Sequence, residues 1–194
     1  MPLTAPGLPG LPPDLSGPVA VQLSKPVRDI PAAHALSGGC LYEPKWDGYR
    51  LVVVRTGSST RVWSKQGRDL TDRFPDVVAA AVAQVPAGTV LDGEVVIWNG
   101  ARLDFGLLQQ RMSTSPGRIA SLVSAAPASY VAFDLLASAG RDLRDQRLSA
   151  AAPSWRASPP AGLRRCSCRP RRPIPPRRAG GSRTSAPQGW RASW

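Results

Sequence analysis

Cysteine, histidine and lysine are scarce in this chain of 194 residues. The three cysteines are Cys40, Cys166 and Cys168. An odd number, with two of them one residue apart, excludes a disulfide framework. Cys166-Ser167-Cys168 also lacks partners for a metal site, because the single histidine, His34, is distant in sequence and reads as a linker residue. No apolar run approaches the ~20 residues of a membrane helix. The opening Met1-Pro2-Leu3-Thr4-Ala5-Pro6 lacks the basic-then-apolar order of a secretory signal. These absences predict a cytoplasmic protein with no membrane partner. Lysine numbers 3 against 22 arginines, and the last is Lys65. Acid is missing altogether from residues 149–194.

The net charge of +12 is therefore uneven. Residues 1–148 carry +2 and residues 149–194 carry +10, all of it arginine. The body is near neutral, and the tail is strongly basic. With 42% hydrophobic residues, the body has enough apolar surface for one core. Residues 1–35 hold eight prolines and read as a leader, draped over a surface or disordered. Residues 36–148 carry the folded pattern. Residues 149–194 hold eight prolines and ten arginines and read as a disordered basic tail, without helix or strand beyond isolated turns.

Within the body, Tyr49–Arg55 is rich in β-branched residues and predicts a strand, with a turn at Thr56–Ser59 and a return strand at Thr60–Ser64. Phe74–Val85 spaces Val77, Val78, Ala81, Val82 and Val85 as a helix that Pro86 stops. Thr89–Trp98 reads as a strand buried from Val95 onward, and Asn99-Gly100 as a tight hairpin. Asp104 is placed to cap a short helix through Met112. Tyr130–Leu136 is another strand. The fold class is α+β on an antiparallel sheet.

The segment with most chemistry is Glu43-Pro44-Lys45-Trp46-Asp47-Gly48-Tyr49-Arg50. Lys-x-Asp-Gly alone is a common turn tetrapeptide. A lysine amine attacks only when neutral, so a nucleophilic Lys45 needs burial, nearby cations or a metal to lower its pKa. Attack on a nucleotide α-phosphate further needs a base pocket, ribose contacts and cations on the phosphates. Ser64-Lys65-Gln66-Gly67-Arg68-Asp69-Leu70-Thr71 offers cations on a Gly turn after a strand. Leu91-Asp92-Gly93-Glu94 places an acid at the mouth of a buried strand, where Glu94 is a ribose or metal contact or a plain edge charge. Phe133-Asp134 sets an aromatic within a strand, for stacking a base or simply for the core.

In this order and spacing, the four segments resemble the nucleotidyltransferase domain of ATP-dependent DNA ligases, over roughly residues 15–148. Glu43 to Arg50 fits every fixed position of that family's Glu-x-Lys-x-Asp-Gly-x-Arg motif. The second motif, Ser-Arg-x-Gly-x-Asp-Leu-Thr, is met at Ser64, Gly67, Asp69, Leu70 and Thr71, with Lys65 in place of arginine. That exchange keeps the charge and loses the planar fork. Capping guanylyltransferases and RNA ligases share the lysine motif, but the second segment favours a DNA ligase.

The resemblance implies an ATP-grasp-like, antiparallel-sheet adenylation domain. It implies Lys45 as the adenylated nucleophile, with Glu43, Arg50, Lys65, Glu94 and Phe133 as nucleotide contacts and Glu94 also a metal contact. ATP, Mg2+ (or Mn2+) and nicked double-stranded DNA would be its cofactors and partner, in DNA repair or recombination by a monomer. The family's later Glu-Gly and Lys-x-Lys motifs have no counterpart, since no glutamate follows Glu94 and no lysine follows Lys65. The abrupt Arg/Pro/Ala/Trp composition after Leu148 resembles a GC-rich frame read out of phase. The expectation is a ligase domain broken off there, unable to seal nicks as written. The alternatives are a non-catalytic basic nucleic-acid-binding fragment and an inert pseudogene product.

Overall fold

β-Branched and apolar residues concentrate in three stretches, and these become the three central strands of a sheet. The structure, a computed structural model, describes residues 10–23, 28–35, 41–146, 163–165 and 190–193, with only the backbone at 41–43, 163–165 and 190–193. The strands are β1 (Leu41–Pro44), β2 (Tyr49–Arg55), β3 (Thr60–Ser64), β4 (Thr89–Asn99), β5 (Arg102–Leu103), β6 (Ala128–Ser138), β7 (Arg141–Asp142), β8 (Leu163–Arg165) and β9 (Trp190–Ser193). The helices are α1 (Pro75–Gln84), α2 (Phe105–Ser113) and α3 (Ile119–Ala125). No helix among the described residues is long and apolar enough to cross a membrane.

The chain divides into two compact units. One joins Met1–Val21 to Asp47–Arg165, and the other joins Gln22–Trp46 to Cys166–Trp194. The second contains a two-stranded antiparallel sheet in which β1 pairs β9, from Leu41↔Ser193 to Pro44↔Trp190.

The first unit is built on a sheet of order β3-β2-β4-β6-β7, with β5 on β4 and β8 on β6. All of its pairs are antiparallel except β6–β8. Period-two alternation gives the sheet two faces. One carries Leu51, Val53, Val62, Leu91, Val95, Ile97 and Tyr130, and packs on Val77 and Ala81 of α1 and Leu108 of α2. The other carries Val52, Val54, Val90, Leu136 and Ala137, which Leu15 and Val19 cover. Leu11, Leu15, Val19 and Val21 of the proline-rich leader therefore lie on the sheet.

The expected helices and hairpins form, with instructive differences. Asp104 caps α2 by accepting from Leu107 N at 3.1 Å. In the β4–β5 hairpin Gly100 alone takes positive φ, 60°, as the first of two loop residues. That is the requirement of a II′ turn, so Asn99 closes the strand and does not share the turn. β4 is buried from Thr89, not from Val95. It lies between β2 and β6, so Glu94 sits mid-strand in the sheet interior and not at a strand mouth. Of residues 149–194, the structure describes 163–165 and 190–193, and both are short strands where none was expected. An open strand edge pairs with any backbone, whatever its side chains. Cys40, Cys166 and Cys168 lie outside the described residues. His34 is exposed.

Candidate functional site

Gly48 fixes the entry to β2. A Cβ there would collide with the Val95 carbonyl oxygen, so the chain passes β4 more closely than any other residue permits. Two residues on, Arg50 turns to the leader-covered side of the sheet. It is in register with Glu94, yet its guanidinium reaches diagonally to Asp92. Nε donates to Oδ1 at 3.0 Å and Nη2 to Oδ2 at 2.5 Å. Its carbon also lies 5.3 Å from the centre of the Phe133 ring, a cation–π distance.

A β-bulge makes that contact possible. Asp92 pairs with Asp134 while the next residue, Gly93, pairs with Ala132. Phe133 is thus the extra residue of β6. In an unbroken strand Phe133 and Asp134 would face opposite sides. The bulge brings both to the side that holds Arg50, Asp92 and Glu94. Gly93 contributes from the other face, where a Cβ would stand 2.7 Å from the Tyr130 hydroxyl. That hydroxyl lies 2.9 Å from the Leu51 carbonyl oxygen and 3.1 Å from that of Leu91.

The electrostatics follow from burial. Asp92 is 2% exposed and Glu94 5%. Burial pushes the Asp92 carboxyl up, against the downward pull of Arg50, and Asp134 opposite adds to the rise. Burial also raises Asp134. For Arg50, burial alone would lower the guanidinium, but the hydrogen bonds and charge of Asp92, with Glu94 behind, raise it above its ordinary value.

The second motif builds a turn. Gly67 has φ 79°, and Ser64 Oγ accepts from Arg68 N at 3.0 Å. Asp69 accepts from Thr71 N at 2.9 Å and from Arg61 Nη1 at 2.7 Å. Burial would raise Asp69, but its bonds from Thr71 and Arg61 outweigh that and hold its carboxyl low. Ser64, Gly67, Asp69 and Thr71 therefore shape the loop. Lys65, Gln66 and Arg68 line a cleft of about 380 Å3 with Gly48, Arg50 and Leu51.

Among the sequence-predicted residues, Arg50, Lys65, Glu94 and Phe133 lie in the first unit. Arg50 meets Phe133, neighbours Glu94 in register and shares the cleft with Lys65. Glu43 and Lys45 lie in the other unit. Glu43 is in β1, and Lys45 follows it with an exposed side chain. Sequence reasoning missed Asp92 as the partner of Arg50. The available signal was a buried Arg–Asp pair on adjacent strands, which is visible only once the register is known.

A family model described as "ATP dependent DNA ligase domain" matches residues 21–153. DNA ligase C2 of Mycolicibacterium smegmatis is 42% identical over 120 residues, which are 62% of this chain and 32% of that protein. DNA ligase C of Mycobacterium tuberculosis is 42% identical over 120 residues, with the same shares. The chain thus spans about a third of the length of these relatives. A solved structure of mycobacterial DNA ligase D complexed with ATP and MES is 26% identical, with a TM-score of 0.48, over 73% of this chain and 42% of that one.

Proposed function

Since the chain belongs to the ATP-dependent DNA ligase domain family, we propose that it carries the adenylation chemistry of a DNA ligase, with Lys45 as the nucleophile. The neutral Lys45 amine attacks the α-phosphorus of ATP. A P–N bond forms, the bond to the bridging oxygen breaks, pyrophosphate leaves and the amine sheds a proton. In the whole ligase, AMP then passes to a 5′-phosphate at a nick in duplex DNA, and a 3′-hydroxyl displaces it.

The observation that carries this reading is the meeting of Arg50, Phe133 and Glu94 from three strands. The ring offers a stacking face for a base. Arg50 offers donors, and Glu94 an acceptor for ribose hydroxyls. Lys65 and Arg68 add cations in the adjoining cleft. The similarity to mycobacterial DNA ligases C and C2 supports DNA as the substrate.

The divalent metal fits less fully. Among the described residues, no three acid, cysteine or histidine side chains are grouped to hold an ion. Asp92 is engaged by Arg50, and Glu94 would be a single carboxylate ligand. Mg2+ held by one carboxylate and the nucleotide's own phosphates is consistent with such a site, where it would neutralise phosphate charge.

Incubation with α-labelled ATP and Mg2+, followed by a denaturing gel, tests the assignment. We expect an acid-labile AMP adduct that Lys45→Ala and Lys45→Arg both abolish, because arginine keeps the charge without a neutral form at ordinary pH. An adduct surviving in Lys45→Ala would overturn the role of Lys45.

A further inference from the structure

Asp92 and Asp134 stand directly opposite each other on β4 and β6, an arrangement that destabilises a sheet unless a cation answers it. The cation is Arg50, and it chooses one of the two. Asp134 Oδ1 already accepts from Leu135 N at 2.8 Å. Arg50 gives its fork to Asp92, through Nε at 3.0 Å and Nη2 at 2.5 Å. A long side chain held at one point samples many rotamers. Two parallel bonds on one edge and a ring 5.3 Å from its carbon leave this one little choice. Asp92 itself is 2% exposed, so it presents no surface of its own.

We propose that Asp92 is a positioning residue of the nucleotide site, holding the Arg50 guanidinium against Phe133 so that cation and ring meet the ligand as one preformed surface. The proposal rests on the nucleotide reading given above. Asp92 acts through Arg50: the fork uses two of the five guanidinium donors and orients the rest. Preorganisation of this kind removes an ordering cost from binding.

Two measurements on the 194-residue chain test it. The first needs no ligand. In 15N-labelled protein, the Arg50 Nε–H signal, identified by its loss in Arg50→Lys, should exchange slowly with solvent. Asp92→Asn should speed that exchange roughly tenfold or more, and Asp134→Asn should not. Equal protection in Asp92→Asn overturns the proposal.

The second is a double-mutant cycle on ATP affinity. Asp92→Asn should weaken binding roughly tenfold in the unaltered chain and less than twofold in an Arg50→Lys background. An equal loss in both backgrounds marks a merely structural role and overturns the proposal. If Asp92→Asn unfolds by circular dichroism, Asp92→Glu replaces it, since one methylene displaces the fork and keeps the charge. Slow Arg50 exchange in a chain that binds no ATP supports the clamp and overturns the nucleotide reading alone.

Discussion

Asp134 shows how a single carboxyl taxes the fold it belongs to. Burial raises its pKa in the folded chain above that in the unfolded chain. The folded state then holds the proton more tightly, so stability falls as pH rises through the unfolded carboxylate range, about 4, toward the folded value. Asp134→Asn has no such dependence. It should melt higher than the unaltered chain at neutral pH, and the two should converge below about pH 4. Its amide oxygen can still accept from Leu135 N. Melting curves from pH 3 to 8 check this, and a neutral-pH loss of stability would show that Asp134 is held by a favourable pairing. Asp69 has the opposite sign, its carboxyl being held low. What the Asp69 bonds contribute is present above the unfolded range and fades on acidification.

Between elements, one arginine ties the helices to the sheet. Arg111 of α2 is 1% exposed and donates to both carboxylate oxygens of Asp76 in α1, at 2.9 and 2.7 Å. It also donates to the Ala126 carbonyl at 2.5 Å. Asp76 in turn accepts from Ala128 N at 2.6 Å, at the start of β6. Phe74 lies beneath the guanidinium at 5.6 Å. Removing the cation leaves a largely buried carboxylate uncompensated, so Arg111→Met should cost about 3–5 kcal/mol in urea unfolding. A loss under about 1 kcal/mol would mean water replaces the arginine. The β6–β7 hairpin holds a smaller strain. Its two loop residues, Ala139 and Gly140, both have positive φ, 48° and 77°. That turn suits Asn-Gly or Gly-Gly and penalises alanine. Ala139→Gly should therefore gain about 1 kcal/mol, and an unchanged unfolding midpoint would show the turn relaxing another way.

At the scale of the molecule, the leader supplies part of the core on the sheet's second face. Leu15 is fully buried on Val52, Val54, Val90, Leu136 and Ala137. Asp14 beside it receives Arg144 Nη2 at 2.5 Å, an exposed pair of little consequence for stability. Leu15→Ala should cost about 2–5 kcal/mol through the cavity it leaves. Chemical denaturation measures the loss, and a negligible one would place the leader outside the cooperative unit. The same face carries Arg50, Asp92, Glu94 and Phe133. One surface thus serves both as core and as a candidate site.

Side chains close along the chain are enough to specify β2, β3, β4 and β6, the helix periodicity of α1, the cap of α2 and the motif residues, whereas β8 and β9 arise from backbone pairing in a stretch with no strand pattern of its own. Pro86 ends α1, Asp104 begins α2, and Gly67 with Asp69 and Thr71 shapes its own loop. No local pattern announces a β-bulge. Period two assigns Phe133 and Asp134 to opposite faces, and only the pairing of β6 with β4 brings them to the same one. Nor does an acid in a strand reveal its depth. Glu94 reads as the mouth of a strand, and becomes interior because β2 and β6 flank β4 along its length. The fork of Arg50 on Asp92 spans 42 residues of sequence. It exists because register, which is a property of the whole sheet, sets the two side chains diagonally across neighbouring strands.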